Sequence, residues 1–280
     1  MARGRSISLA LFLLLAGWTR LAGQGAGAPA PKAGLQVAPT RVVFDNRRRT
    51  TTVSITNTGG AQGHYRLSLM RLEMDDNGGC TEQPLERGSA HAELQDMLLF
   101  APREVTLNPL ESQTVRIQVR KPAELPPGEY RLHLLFQEEP PSDPEPAAEP
   151  GPAPPGATVS LTAQVGLSIP VIFRNGDTSA KAAVTGTALD AERKRLSFRL
   201  ERTGNQSVYG DLQAIYQPRS GKPRVLAQIR GVAVYTPNAF RNVNLALDPA
   251  PQGAGRIQVT YCAPREDGGA LLAEGSLELR

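Results

Sequence analysis

The residue types that most often carry chemistry are scarce in this chain and widely separated. Among its 280 residues are three histidines and two cysteines: His64, His91, His133, Cys80 and Cys262. The histidines lack the spacing of a helical metal pair, and two thiols cannot make a disulfide scaffold or a four-ligand zinc site. There is no Gly-x-Ser-x-Gly nucleophile elbow, and the one glycine-rich run lies near the amino terminus. We therefore expect neither an enzyme nor a protein that holds a metal or cofactor.

A run of three arginines, residues 47–49, is the densest group of charge in the chain. Such a run offers guanidinium groups to an anionic ligand. The strand-like sequence on both sides favours a plainer interpretation, in which the arginines form a solvated hairpin turn between two strands.

The first 23 residues have the pattern of an export signal. Arg3 and Arg5 precede an apolar run of about ten residues, and small residues follow from Ala22. The apolar run is shorter than the roughly 20 residues that a membrane-spanning helix needs. We predict a signal peptide over residues 1–23, cleaved between residues 22 and 30, then a leader over 24–34; a membrane anchor is the alternative. The mature chain is expected to be soluble and periplasmic.

Removal of this segment also changes the charge balance. The full chain carries 31 Lys and Arg against 27 Asp and Glu, and three of the arginines (Arg3, Arg5 and Arg20) lie in residues 1–23. The mature chain is therefore almost neutral, so we do not expect it to bind nucleic acid or to insert stably into a membrane.

The rest of the chain is dominated by patterns typical of β-strands. Residues 50–56 (TTTVSIT) are β-branched with alternating polarity, and similar short runs recur, separated by Gly, Pro and Asn. Only residues 90–99 suggest a short helix. This spacing predicts an all-β protein made of two β-sandwich domains, over residues 35–174 and 175–280.

The segment just before the last strand of the first domain is unusual. Residues 137–156 contain eight prolines and five acidic residues and no Lys or Arg, so they cannot bury a core. An uninterrupted period-2 pattern follows and reaches Phe173, far longer than an ordinary strand. Its first half presents one apolar face: Val159, Leu161, Ala163, Val165 and Leu167.

Several runs, in this order, resemble the periplasmic chaperones of the chaperone-usher family, which assemble pili (fimbriae). The runs are PTRVVFD at 39–45, NTG at 57–59, FAP at 100–102, VTLNP at 105–109, QTVR at 113–116, GEYRLHL at 128–134 and IPVIFR at 169–174. The resemblance covers residues 35–174 well and is weaker after residue 175.

This resemblance implies two immunoglobulin-like β-sandwich domains in an L-shaped arrangement and a non-catalytic role. The family's subunits lack the last strand of their own sandwich, and the chaperone lends them one. An exposed alternating strand suits this role, because its backbone supplies hydrogen bonds and its alternate side chains fill pockets. We therefore expect the five apolar residues from Val159 to Leu167 to be the donor residues, and the partners to be pilus subunits and an outer-membrane usher.

The resemblance also implies individual site residues. Arg41 matches the arginine that anchors the subunit's terminal carboxylate, but Pro170 stands where the family has a lysine; Arg131 is a candidate for the second cation. Glu129, Arg174 and Asp248 match a buried set that ties the two domains. Cys262 matches one half of a disulfide found in many members, without a partner, so we expect a free thiol. The alternative is an exported two-domain binding or structural module with no part in pilus assembly.

Overall fold

The computed structural model describes residues 34–45, 47–85, 90–121, 124–139, 166–192 and 194–280. The predicted signal peptide, most of the proline-rich acidic segment and four of the expected donor residues lie outside these ranges: Val159, Leu161, Ala163 and Val165.

The described residues form seventeen strands and one short helix. The strands of the first half are β1 (Leu35–Ala38), β2 (Val42–Phe44), β3 (Thr50–Asn57), β4 (Gly63–Met74), β5 (Cys80–Gln83), β6 (Leu98–Ala101), β7 (Glu104–Leu107), β8 (Ser112–Val119), β9 (Gly128–Glu139) and β10 (Gly166–Asn175), with helix α1 (Ala90–Met97) before β6. Those of the second half are β11 (Ala180–Asp190), β12 (Arg195–Gly204), β13 (Val208–Pro218), β14 (Arg224–Val234), β15 (Phe240–Ala246), β16 (Gly255–Cys262) and β17 (Leu271–Leu279).

The first sandwich consists of two sheets. One has the strand order β1-β3-β8-β6, and the other has the order β2-β10-β9-β4-β5, with β7 also paired to β4. Alternate residues of both sheets point inward, as the period-2 pattern requires. The largest fully buried side chains of this core include Phe44, Ile55, Tyr65 and Phe136.

The second sandwich is also made of two sheets, with the orders β11-β12-β15 and β14-β13-β16-β17. Its core contains Leu196, Leu212, Tyr216 and Tyr261, all fully buried. One residue of the first half, Met74 at the end of β4, also belongs to this core.

The turn after Met74 makes further contacts with the second sandwich. The Asn238 side-chain amide donates to the Met74 carbonyl at 2.9 Å, and the Asn242 backbone N–H donates to the Asp76 carbonyl at 2.6 Å. Side-chain packing and backbone hydrogen bonds thus both join the β4–β5 turn to the second sandwich.

The predicted all-β fold of two immunoglobulin-like sandwiches is confirmed, and so is the short helix within residues 90–99. The expected hairpin at Arg47–Arg49 is wrong. The strands on either side belong to different sheets, because β2 pairs in parallel with β10 whereas β3 pairs with β1 and β8. Within the described ranges, no helix is long and apolar enough to cross a membrane.

Candidate functional site

The two faces of strand β9 have different roles. Leu132, Leu134 and Phe136 point into the first core, while the intervening residues lie on the opposite face. That face carries Glu129, Arg131 and His133. Pleating therefore places three ionisable side chains on one surface of the sheet, beside the corresponding face of β10.

A cleft of about 580 Å³ lies where this surface meets the second sandwich. Thr40, Arg41 and Pro170 line it on one side, and residues of β13, β14 and the 264–266 turn line it on the other. Arg41 immediately precedes β2, and the β2–β10 register brings it beside Pro170. The structure thus joins Arg41 to the strand end that the sequence resemblance associated with it.

The Arg41 guanidinium has an aromatic neighbour but no acidic partner. It lies over the Tyr209 ring, 4.5 Å from the centroid, and its Nε and Nη2 atoms are buried with no hydrogen-bond partner among the described residues. Burial lowers the pKa of Arg41, because the charged form has lost hydration that nothing fully replaces. Unused donors on a buried cation are suited to a carboxylate from outside the chain.

Arg131 has a similar environment on the neighbouring strand. Its guanidinium lies 3.9 Å from the centroid of the Tyr235 ring, and its Nη2 donates to the Leu72 carbonyl at 3.0 Å. Its Nη1 is buried with no partner among the described residues, and burial lowers its pKa. Arg41 and Arg131 both act on the pKa of Tyr235, so the second sandwich contributes an aromatic ring close to both cations.

Tyr209 and Tyr235 were not predicted from the sequence. They belong to strands in the less well matched half of the chain, and only the packing of one sandwich on the other brings them to the arginines. An aromatic ring beside a buried guanidinium compensates part of its lost hydration.

The predicted interdomain set is found in part. Arg174 Nε donates to Glu129 Oε2 at 3.1 Å, and the Glu129 side chain is fully buried. The backbone N–H of Ser207 also donates to Glu129 Oε2 at 3.1 Å, and the Ser207 hydroxyl donates to the other carboxylate oxygen. Glu129 therefore links the end of β10 to the segment that precedes β13.

Asp248 is not brought into this set. It is exposed after the end of β15, and its backbone N–H donates to the Leu226 carbonyl at 3.2 Å. The described residues include no ion pair between Asp248 and Arg174. Ser207 is instead the second-sandwich partner of the pair: a neutral hydroxyl and a backbone amide satisfy Glu129 without burying a second carboxylate.

Leu167 is the one expected donor residue within the described ranges. It is half-buried and packs against the first core, ahead of the fully buried Ile169. Its side chain is thus already engaged in its own domain, which does not agree with a free donor side chain at this position. The donor role of the four residues before it stays a prediction.

The edge of β10 is open beside the cleft. β9 pairs with β10 along Gly166–Asn175, whereas β2 pairs with it only at Val171–Phe173. Within the described part of the chain, residues 166–170 therefore have a strand partner on one side only. The open stretch ends at Pro170, next to Arg41.

His133 lies beneath this site, directly opposite Pro170 in the β9–β10 register. It is 5% exposed, and its Nδ1 has no hydrogen-bond partner in the described residues. Burial, with a smaller contribution from the charge of Arg131, lowers the pKa of His133 from 6.5 to about 4. The folded protein thus keeps this imidazole neutral.

This burial predicts a loss of stability in mild acid. Below pH 6.5 the unfolded chain takes up a proton on His133 that the folded chain accepts only near pH 4, so the free energy of unfolding falls through that window. The expected contribution is about 3 kcal/mol. His133→Gln should remove this part of the pH dependence, measured by urea unfolding at neutral pH and near pH 4. The matched control is His64→Gln, at a more exposed histidine; an identical pH dependence in the wild type and His133→Gln would contradict the assignment.

Neither cysteine is part of the cleft lining. Cys80 is exposed at the start of β5, Cys262 is half-buried at the end of β16, and both are free thiols. Among the described residues, no group of His, Cys, Asp and Glu is arranged to hold a metal ion.

Similarity to known proteins is found among solved structures. No protein-family model and no curated protein match the chain. The solved structure of the YadV chaperone matches over 88% of this chain and 99% of its own, with 15% identity and a TM-score of 0.44. The Pseudomonas aeruginosa CupB2 chaperone matches over 87% of this chain and 98% of its own, with 16% identity and a TM-score of 0.42.

A third match comes from a complex. A chain of the Salmonella enterica SafA pilin complex with the SafB chaperone matches over 88% of this chain and 96% of its own, with 18% identity and a TM-score of 0.40. The family that the sequence resembles is thus also the family that these solved structures represent.

Proposed function

We propose that this chain is a periplasmic chaperone that binds pilus or fimbrial subunits by lending them a strand and delivers them to an outer-membrane usher. The observation that carries the proposal is the buried, unpaired guanidinium of Arg41 at the end of an open strand edge. Neither the guanidinium nor the edge specifies a partner by itself, but together they suit a partner strand that ends in a free carboxylate.

The Arg41 guanidinium supports the carboxylate end of this interaction. A buried cation whose N–H groups are unsatisfied is costly, and a planar carboxylate satisfies two of those donors at once. The ring of Tyr209 holds one face of the guanidinium and leaves its edge for the ligand. The other cations nearest the cleft are Arg131, behind Tyr235, and Arg230, on its wall.

The open edge of β10 supports the strand end of the interaction and sets a direction. A strand added along residues 166–170 would continue the line of β2, which runs parallel to β10. With its terminal carboxylate at Arg41, beside Pro170, such a strand would run from Gly166 toward Pro170 and so also be parallel to β10. Backbone hydrogen bonds along the edge would supply affinity, and the Arg41 contact would set the register.

The proposal is tested by co-expressing the chain in a bacterial periplasm with pilus subunits of the same genome. Each subunit is made with its native carboxyl terminus and, as the matched control, with a short glycine-serine extension that moves the carboxylate away from Arg41. We expect the native subunit to co-purify with the chain and the extended one to be lost. Failure to recover any native subunit, or equal recovery of both forms, would overturn the proposal.

A further inference from the structure

A second cleft, of about 460 Å³, lies at the opposite end of β10 from the open edge. Arg49 and Lys121 line it, together with Phe173, Asn175 and the following Gly176. Its lining differs in kind from that of the Arg41 cleft, because it combines exposed cations, apolar side chains and one buried amide.

The cations are brought together by the pairing of β3 with β8. The Val119 backbone N–H donates to the Arg49 carbonyl at 2.9 Å, so the residues before β3 meet the residues after β8. Five basic residues converge in this way at one end of the first sandwich: Arg47, Arg48, Arg49, Arg120 and Lys121. None of them forms an ion pair with another residue of the described ranges.

Asp45 is the acidic residue in the cleft lining, and its carboxylate has a structural role. Its Oδ1 accepts hydrogen bonds from the backbone N–H groups of Arg47 at 2.9 Å and Arg48 at 2.8 Å. These bonds lower the pKa of Asp45 and hold the turn that carries the arginines. One carboxylate in this position leaves most of the surrounding positive charge uncompensated.

Asn175 contributes the opposite requirement. It is 3% exposed, and its Nδ2 donates to the carbonyls of Leu125 and Pro126, which fixes the orientation of the amide. Its Oδ1 is buried and accepts no hydrogen bond in the described structure. Buried amide oxygens are nearly always satisfied, so this acceptor requires a donor from outside the chain.

We propose that this cleft docks an acidic peptide segment of a partner protein. The cations of residues 47–49 and 120–121 require carboxylates, the Asn175 Oδ1 requires an N–H donor, and Phe173 and Val119 offer apolar contact. A peptide backbone with glutamate or aspartate side chains meets all three requirements. Inorganic phosphate or sulfate meets only the first, and a membrane surface presents no backbone amide to the buried oxygen.

The partner is a separate polypeptide rather than the acidic segment of this chain. β9 ends at Glu139, next to the Gly166 end of β10, and the ten residues of β10 separate that end from Asn175. At about 3.3 Å per residue, the distance is roughly 30 Å. The acidic residues that follow β9 therefore leave the sheet at its far end.

The test uses a fluorescently labelled peptide of alternating glutamate and leucine with an amidated carboxyl terminus. Amidation removes the carboxylate that the Arg41 cleft is proposed to bind, so the outcome is independent of the proposed function. We expect salt-sensitive binding to the full chain, weakened about tenfold by Arg49→Glu combined with Lys121→Glu. Arg219→Glu combined with Lys222→Glu, the same charge change on an exposed loop of the second sandwich, should leave binding unchanged.

Four outcomes would overturn the proposal. They are absence of binding at low salt, equal weakening by the control variant, equal binding of the matching glutamine–leucine peptide, and full displacement of the peptide by millimolar phosphate. The last would show a site for simple anions, and the second would show attraction to overall positive charge.

Discussion

Arg41→Ala is expected to abolish recovery of a bound subunit while the chain itself stays folded. In the complex, the substitution leaves the subunit's terminal carboxylate buried without a partner. Truncating one member of a buried charge pair costs about 2–5 kcal/mol, enough to lose a complex of ordinary affinity. In the free chain Arg41 has no acidic partner to lose, and only its contact with the Tyr209 ring disappears, worth about 0.5–1 kcal/mol.

The measurement compares co-purification of the subunit with the thermal unfolding of the isolated variant. Arg116→Ala removes an exposed arginine from β8 and is the matched control. Arg131→Ala should lower recovery nearly as much, because Arg131 is the candidate second cation. Normal recovery with Arg41→Ala would remove the anchor assignment, and normal recovery with Arg131→Ala would leave Arg41 as the single anchor.

Leu161→Glu is expected to have a comparably large effect through the donor strand. Leu161 lies outside the described residues, so this expectation rests on the alternation of the sequence. If its side chain fills a pocket in the subunit, a glutamate there would be buried without a partner at a cost of several kcal/mol. In the free chaperone the same carboxylate stays in water, so the melting temperature should change little.

Thr162→Glu is the control, since neighbouring residues of a strand point to opposite faces. We expect it to reduce co-purification less than Leu161→Glu does. Both variants are compared by melting temperature and by subunit recovery. If Leu161→Glu instead unfolds the isolated chain, the residue belongs to the chain's own core and the donor role is lost.

The fold was predicted from the sequence because its signals are local. A period-2 pattern such as residues 50–56 reports which face of a strand is buried, whatever the strand pairs with. The same pattern in residues 128–136 separated the core residues Leu132 and Leu134 from Arg131, as the structure shows. Partners of a strand are set by distant segments, so the parallel pairing of β2 with β10, and hence the wrong hairpin at Arg47–Arg49, had no local signal.

The candidate site divides in the same way. The sequence by itself determined that Arg41 and the strand ending at Arg174 belong to the site, through runs of neighbouring residues that resemble a known family. Only the tertiary structure decided which groups surround them: Tyr209 beside Arg41, and Ser207 rather than Asp248 beside Glu129. These contacts form across two sandwiches between residues up to 168 positions apart in the chain, and their geometry depends on packing that no local pattern records.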